Sequence, residues 1–497
     1  MINDNHGGIV NLINMTDPLP HCGRPDPNCA PGGPLFANST LRNFEPRVGF
    51  AWDPFHNGKT AVRGSFGAFD ILPMAYQFIA TATKLFPFVA SGSVRPAQGL
   101  APGDFYQGAF PKLGPANKGG GNIEQYAHRS YDMQWNLNVQ RELVRNLTAM
   151  VGYVGSRGVH EPFKVDDADI VIPTLTPEGR WLFPNPVASQ DNINTDFGSI
   201  GRLTYEGNSY YHALEVAVQK AMSHGVQFQT SFTWGKSMDT GSAAGHGDQF
   251  SNSLSSLPYY DLRMLRSRSD FDIKRTLVIS ATWQIPSPKS LSGPAAWIAN
   301  GWELGGIYKI SDGVPFTATW GTDGDPQGIN SGDPWAFPDR LNTPGCATLT
   351  NPRNPNHYVK TECFAVPTAP NLAFFNAAQP LGCDPNFGST NPTDLNYLWC
   401  FNLRGNAGRN LLTGPGTSNL DFSVFKNHSI KRISENLSVQ FRAEFFNILN
   451  HANFAVPPTP ERTDIFDSSG TPNGIAGVLK STTTPGREIQ FALKFGW

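Results

Sequence analysis

The chain of 497 residues carries a net charge of −2, and only 16% of its residues are charged, against about 25% in ordinary soluble domains. A balance this close to neutral, without any basic run, argues against a nucleic-acid surface. No apolar stretch approaches the roughly 20 residues of a membrane-spanning helix. The opening MINDNHGGIV lacks the charged start and apolar core of a signal peptide.

From residue 47 onwards, polar and apolar residues alternate strictly in long stretches. In SYDMQWNLNVQ, for example, Met133, Trp135 and Leu137 alternate with Gln134 and Asn136. The runs reach about 10 to 13 residues, longer than the five or six of an ordinary strand and enough for a tilted strand to cross a bilayer. The alternation predicts eleven strands, near 47–53, 60–70, 130–142, 147–156, 210–221, 225–236, 273–285, 301–311, 418–428, 436–447 and 487–497.

The connections between these strands alternate between short and long. The short connections are 54–59, 143–146, 222–225, 286–300 and 428–434, and the long ones are 71–129, 157–209, 237–272, 312–417 and 448–486. This alternation is typical of an up-and-down barrel with short periplasmic turns and long extracellular loops. We therefore predict an all-β fold, an antiparallel transmembrane β-barrel located in the cell outer membrane.

All six cysteines fall on the extracellular side of this topology, where an oxidising environment permits disulfides. The candidates are Cys22, Cys29, Cys346, Cys363, Cys383 and Cys400. Several pairings are possible, and proximity in the sequence favours Cys22–Cys29, Cys346–Cys363 and Cys383–Cys400. Because no C-x-x-C spacing and no histidine cluster accompanies them, we expect no zinc site.

The two faces of each predicted strand have different partners in a barrel. The polar face is predicted to line the lumen, with Arg63, Gln134, Asn136, Asn138, Gln140, Glu215, Gln227, Gln229, Glu303, Gln440, Arg442, Glu444 and Lys494. The apolar face is predicted to contact lipid, with Trp135, Trp234, Trp283, Trp302, Phe441, Phe491, Phe495 and Trp497. Two alternatives remain open. The aromatic residues could form the core of a soluble sandwich, and the charged residues could hold the wall by salt bridges rather than contact substrate or a plug.

No residue pattern points to enzymatic chemistry. Paired carboxylates in a defined cleft and a nucleophile with partner residues at suitable spacing are both missing from the sequence. The glycine-rich segment GRNLLTGPG (408–416) is predicted to be a corner between loop and strand, since neither Lys-Ser nor Lys-Thr follows its glycines. We expect no catalytic, cofactor-binding or metal-binding residue, no cofactor, and no enzyme activity.

Nine segments, in order, resemble TonB-dependent receptors of the Oar-like type. They are NFEPRVGFAWDPFHNGKTAVRGSFGAF (43–69), YDMQWNLNVQREL (131–143), VGYVGSRGVH (151–160), NSYYHALEVAVQKAMSHGVQFQTSFTWGKSMD (208–239), FDIKRTLVISATWQIP (271–286), GWELGGIYKISDGVPF (301–316), GRNLLTGPG (408–416), LDFSVFKN (420–427) and FRAEFFNILNHANF (441–454). Each segment alone is only loosely specific, but nine segments in the right order are specific.

The resemblance implies a 22-stranded barrel of which these eleven strands would be the C-terminal half. Residues 1–46 would then be an extracellular loop segment left by an N-terminal truncation, and residues 47–497 the C-terminal part of the barrel. The odd strand count leads to the same expectation, because single-chain bacterial barrels have an even number of strands.

The implied function is TonB-dependent transport of a bulky ligand across the outer membrane. The expected partners are outer-membrane lipid, an unknown ligand, the TonB complex through an N-terminal region not contained in this sequence, and the barrel assembly machinery through the C-terminal strand REIQFALKFGW. A passive porin-like channel or a surface adhesin is the alternative, and a soluble secreted all-β binding protein is a third.

Overall fold

The structure, a computed structural model, describes residues 43–72, 119–124, 127–165, 167–170, 173–183, 199–242, 260–288, 290–320, 336–367, 403–429, 437–457, 463–467 and 471–496. Of the segment 1–46 this includes residues 43–46. Eleven long strands form one sheet: β1 Arg47–Trp52, β2 Thr60–Asp70, β3 Tyr131–Val144, β4 Leu147–Val165, β5 Ser199–Ser223, β6 Val226–Asp239, β7 Arg275–Gln284, β8 Trp302–Ser311, β9 Thr417–Ser429, β10 Ser438–Phe446 and β11 Glu488–Gly496.

Each of these strands pairs antiparallel with the next one along the chain, so the sheet is a continuous meander. The predicted all-β fold of eleven antiparallel strands is confirmed. The turn between β5 and β6 shows how a local sequence makes such a hairpin: His224 and Gly225 both have positive φ, 53° and 77°. Two successive positive φ angles define the tight turn whose twist matches paired strands.

Strands β4 and β5 are much longer than predicted. They contain 19 and 25 residues, and their pairing continues from the wall up to Val165 opposite Arg202. Irregularities on either side of Glu161 interrupt the register, and glycines at 201 and 207 weaken the strand pattern of the sequence. Because the alternation is broken there, the upper part of this hairpin resembles a loop in the sequence.

Beyond the same end of the wall, the connections after β8 and β10 fold together into a compact assembly, here called the cap. It comprises residues 312–320, 336–367, 403–416, 448–457, 463–467 and 471–486. Its short strands pair as Pro315–Phe316 with Leu412–Thr413, Thr319–Trp320 with Asp464–Phe466, and Asp339–Arg340 with Phe364–Ala365, and its 3₁₀ helices are Pro355–His357 and Thr361–Cys363. Its hydrophobic core contains Trp320, Phe316 and Ile465, all almost fully buried.

The remaining elements are small. A hairpin of Thr174–Leu175 and Trp181–Leu182 stands beside the cap, Gly119–Ile123 pairs parallel with the start of β5, and Ser267–Arg268 pairs with the end of β6. A 3₁₀ helix occupies Leu262–Met264, and helix α1, Gly293–Ala299, lies in the connection between β7 and β8. Within the described ranges, no helix has both the length and the apolar character needed to cross a membrane.

The sheet does not close on itself within the described part of the chain. β1 pairs only with β2, and β11 pairs only with β10. All six residues of β1 are exposed, as are seven of the nine residues of β11. Two strand edges therefore remain open to further pairing.

Candidate lumen face and extracellular cap

Residues that pair directly across antiparallel strands point to the same face of the sheet. Following the register from β2 to β11 places the thirteen residues predicted to line a lumen on one face: Arg63, Gln134, Asn136, Asn138, Gln140, Glu215, Gln227, Gln229, Glu303, Gln440, Arg442, Glu444 and Lys494. We call this the polar face. Its assignment to a lumen stays a prediction.

Side-chain hydrogen bonds connect neighbouring strands on the polar face. Arg63 Nη1 donates to Gln140 Oε1 at 2.8 Å, and Gln440 Nε2 donates to Asn427 Oδ1 at 2.6 Å. Arg442 Nε in turn donates to Gln440 Oε1 at 2.5 Å. Neither arginine forms an ion pair with a carboxylate among the residues described. Both cations therefore bond to amides here, not to acidic partners that would hold the wall.

The opposite face carries the aromatic residues that were predicted to contact lipid, and we call it the apolar face. By the same register it holds Trp135, Trp234, Trp283, Trp302, Phe441, Phe491 and Phe495, whereas Trp497 lies outside the described residues. Phe491 and Trp234 are 67% and 54% exposed. The indole of Trp135 instead packs against Gly155. A Cβ atom added to Gly155 would lie 2.5 Å from the indole.

Helix α1 lies against the apolar face at the short-connection end of the wall. Trp302 Nε1 donates to the Ile298 carbonyl oxygen at 2.7 Å. Lys426 Nζ donates to the Trp297 carbonyl oxygen at 2.7 Å and to that of Ile298 at 3.1 Å. A cation bonded to the last carbonyls stabilises a helix C-terminus. This connection is therefore a defined structure with exposed Trp297 and Ile298.

A cavity of about 510 Å³ opens on the polar face near the other end of the wall. Its lining includes Ser156, Tyr211, Thr233, Ser237 and Asp272. Most of these groups are hydroxyls, which both donate and accept hydrogen bonds. The lining therefore offers mainly neutral hydrogen-bonding groups, together with the carboxylate of Asp272.

A buried arginine joins the cap to the wall. Arg409 Nη1 donates to Asp270 Oδ1 at 3.0 Å, and Arg409 Nη2 also contacts Asp239 at the end of β6. The side chains of Arg409, Asp239 and Asp270 are only 5%, 5% and 2% exposed. Removing one partner from such a group leaves an uncompensated buried charge, so the three side chains depend on one another.

The neighbouring residues extend this junction. Asn410 Nδ2 donates to the Asp270 carboxylate at 2.7 Å, and the Asn410 backbone N–H donates to Thr317 Oγ1 at 2.8 Å. Arg268 Nη2 donates to the carbonyl oxygens of Asn410 and Leu412 at 2.8 and 2.7 Å, and burial lowers the pKa of its guanidinium. The segment GRNLLTGPG is thus a corner that binds the wall to the cap. Sequence reasoning missed the partners because they lie more than 90 positions away.

The cap contains a disulfide between Cys346 and Cys363, whose Cα atoms are 5.5 Å apart. Both cysteines belong to its buried core. The remaining predicted disulfide residues, Cys22, Cys29, Cys383 and Cys400, lie outside the described residues. Nearby, the Tyr358 hydroxyl donates to the Thr413 carbonyl oxygen at 2.8 Å, and burial raises the pKa of Tyr358 to about 12.

The hairpin 173–183 is fastened to the cap by a second arginine. Arg180 donates twice to Asp339, with Nη2–Oδ1 at 2.7 Å and Nη1–Oδ2 at 3.1 Å. Arg180 Nη2 also donates to the Arg404 carbonyl oxygen at 2.7 Å. The Arg404 guanidinium lies 4.2 Å from the ring centroid of Phe337, and burial lowers its pKa. Long connections from three different strand pairs therefore form one joined surface.

The described side chains offer little for catalysis. They contain no group of three or more His, Cys, Asp or Glu residues placed to hold a metal ion. What they do offer is a polar wall, a hydroxyl-rich cavity and a folded cap above it.

Comparison with known proteins identifies a family and several similar structures. Residues 2–490 match the family described as the outer membrane beta barrel domain. No curated protein sequence matches significantly. Similar solved structures include the outer membrane transporter YddB from Escherichia coli (11% identity, 90% of this chain and 40% of that chain, TM-score 0.43) and a G324V mutant of the ferric enterobactin receptor PfeA from Pseudomonas aeruginosa (10%, 92% and 40%, 0.40).

A third similar structure is the siderophore receptor PiuA from Acinetobacter baumannii (8% identity, 91% of this chain and 35% of that chain, TM-score 0.38). The chain thus spans 35% to 40% of the length of these three structures. The family match covers almost all of the sequence and agrees with the strand architecture. The chain belongs to the outer membrane beta barrel domain family and is a protein of the outer membrane.

Proposed function

We propose that this chain forms part of the wall of a TonB-dependent transporter that carries a bulky ligand across the outer membrane. The observation that carries the proposal is the register of the sheet, which places the thirteen polar residues on one face and the seven aromatic residues on the other, although Val278 and Ile307 lie on the polar face. A wall with one wet and one lipid-facing side needs two faces of unlike character.

The ligand would meet the cap first and then the polar face. Buried ionic and disulfide contacts hold the cap in one conformation, which favours specific binding because little ordering is needed on contact. The cavity of about 510 Å³ has the size of an ordinary small-molecule site. Its hydroxyls favour a ligand rich in hydrogen-bonding groups over a highly charged one.

Completing such a wall would require more strands, because β1 and β11 each have an edge without a partner strand among the described residues. We propose that about eleven further strands close the barrel, as in the 22-stranded members that the sequence resembles. The TonB complex would act through a plug encoded beyond this sequence. The exposed stripe of Ile489, Phe491, Leu493 and Phe495 on β11 would be the part that the barrel assembly machinery recognises.

Cysteine accessibility tests the two faces directly. In a background without the native cysteines, Asn138→Cys and Gln229→Cys report on the polar face, and Leu137→Cys and Phe232→Cys are matched neighbours on the apolar face. We expect a charged, water-soluble maleimide to label the first pair in intact membranes and a lipid-soluble reagent to label the second pair. Equal labelling of both pairs by the charged reagent would contradict a membrane wall.

Energy coupling separates the transporter from a passive channel or an adhesin. The gene with its complete flanking reading frame is expressed in isogenic cells with and without a functional TonB complex. Uptake of candidate ligands that depends on TonB supports the proposal. Uptake that is unchanged without TonB indicates a porin-like channel, and cell-surface attachment without any uptake indicates an adhesin.

A further inference from the structure

The apolar face changes character in steps towards the cap end of β5 and β6. Leu214 and Trp234 form one row, directly paired and 37% and 54% exposed. The next row towards the cap holds the exposed pair His212 and Lys236. Tyr210 follows two residues further on, about 14 Å along the strand from Leu214. An apolar row thus gives way to polar and cationic residues over a short distance.

Two arginines surround Tyr210 at this level. The guanidinium carbons of Arg157, which is its direct cross-strand partner, and of Arg266 each lie 5.2 Å from the ring centroid of Tyr210. Contact with an aromatic face holds a guanidinium in place while leaving its N–H groups free to donate. Arg157, Lys236 and Arg266 are all exposed. We call these three residues the cationic patch.

The patch has no acidic partner in the described part of the chain. Three carboxylates at the same rim are bound elsewhere: Asp312 pairs with Arg275, while Asp239 and Asp270 pair with Arg409. One exposed carboxylate, Glu206, lies four residues before Tyr210 on β5. An excess of positive charge therefore remains beside the exposed row of Leu214 and Trp234.

We propose that the cationic patch binds the phosphate group of a lipid headgroup in the outer leaflet of the membrane. The patch continues the apolar face at the height where acyl chains would give way to headgroups, so charge and position both match such a lipid. Arginine donates to phosphate oxygens through two parallel N–H groups, and lysine adds a compact charge. This inference rests on the proposed assignment of the apolar face to lipid.

The test uses the full chain in non-ionic detergent and a phosphorylated lipid A as the probe, with its dephosphorylated form alongside. The variant R157Q/K236Q/R266Q removes the patch. The variant K59Q/R145Q/R353Q removes the same charges from exposed positions elsewhere. Bound lipid is counted by mass spectrometry after size exclusion, at low and at high salt.

We expect the wild type and the control variant to retain the phosphorylated lipid and the patch variant to bind it roughly 10- to 100-fold more weakly, since each cation near a membrane surface contributes a factor of about five. High salt should weaken wild-type binding. Equal retention by the patch variant, equal loss in the control, or equal binding of the dephosphorylated lipid would overturn the inference. So would displacement of the lipid by equimolar inorganic phosphate, because the site would then bind free phosphate.

Reconstitution into vesicles tests the proposed membrane wall separately from the lipid-binding inference. If all three proteins float with phosphatidylcholine vesicles and resist alkaline extraction, the apolar face contacts lipid. The amounts of retained phosphorylated lipid then show whether the cationic patch binds its phosphate. If the wild type stays in the aqueous fraction, the membrane-wall assignment fails and the inference fails with it.

Discussion

The wall exposes large apolar side chains, whereas the cap buries them. Phe491 and Trp234 of the wall are 67% and 54% exposed, whereas Trp320 and Phe316 of the cap are 1% and 0% exposed. Under the proposed function, lipid surrounds the apolar face of the wall, whose backbone groups are paired between strands, whereas the cap lies in water and must bury its own apolar surface. The two regions should therefore fail under different perturbations.

The largest effect is expected at the junction between the two regions. Arg409→Ala leaves the carboxylates of Asp239 and Asp270 buried without their cation, which should cost the cap about 3–5 kcal/mol. Hydrogen exchange followed by mass spectrometry should show lost protection in residues 403–416 and 463–479 and retained protection in β7 to β10.

Arg275→Ala is the matched control, because its ion pair with Asp312 is 59% and 29% exposed and exposed ion pairs contribute little to stability. Similar exchange in the two variants would mean that the buried arginine does not hold the cap.

The disulfide should stabilise the cap and leave the wall unaffected. Cys346→Ser opens a bridge between residues 17 positions apart and should lower the free energy of unfolding of the cap by about 3 kcal/mol. The measurement is the urea midpoint of cap protection, with and without reductant. Reductant should shift the wild type and leave the variant unchanged. An equal shift in the wall strands would contradict the division into two regions.

A charge on the apolar face should destabilise the wall and leave the cap unaffected. Phe232 pairs with Val216 on one side and Leu277 on the other, so Phe232→Arg places a cation against lipid at a cost of about 2 kcal/mol. Urea unfolding in phosphatidylcholine vesicles measures the loss. Ser231→Arg, one residue away on the polar face, should be nearly neutral. If both substitutions cost the same, the two faces are not in different solvents.

The smallest effect concerns pH and the cap. The folded pKa of Tyr358, about 12, lies above its ordinary value of 10.0 because the hydroxyl is buried. The neutral phenol therefore stabilises the folded state fully below pH 10, and this contribution is lost as the pH rises towards 12, by about 1–2 kcal/mol. Tyr358→Phe should flatten the decline of cap stability between pH 10 and 12. Parallel declines in both proteins would assign the alkaline sensitivity to other groups.

Much of the wall could be predicted from local sequence. A period of two residues reports directly on a strand with unlike faces, and the eleven predicted strands all appear within a few residues of their expected positions except where β4 and β5 continue. The same period placed Arg63 and Gln140 on one face. The structure shows them on that face of two paired strands, where Arg63 donates a hydrogen bond to Gln140.

The candidate site above the wall could be predicted only in outline. Long connections at one end were expected, and Cys346–Cys363 was one of the pairings favoured by proximity. The core of the cap was not foreseen, because Phe316, Leu412 and Ile465 come from distant segments without any periodic pattern. Loop residues with no period give no local signal of burial.

By itself the sequence determined the strand class, the strand order and the two faces, because alternation along one strand is a local property that neighbouring strands repeat. Only the tertiary structure decided how Arg409 meets Asp239 and Asp270, how β4 and β5 rise above the wall, and how two long connections share one core. These features depend on contacts between residues far apart in the chain, and their energies exist only once the chain has folded.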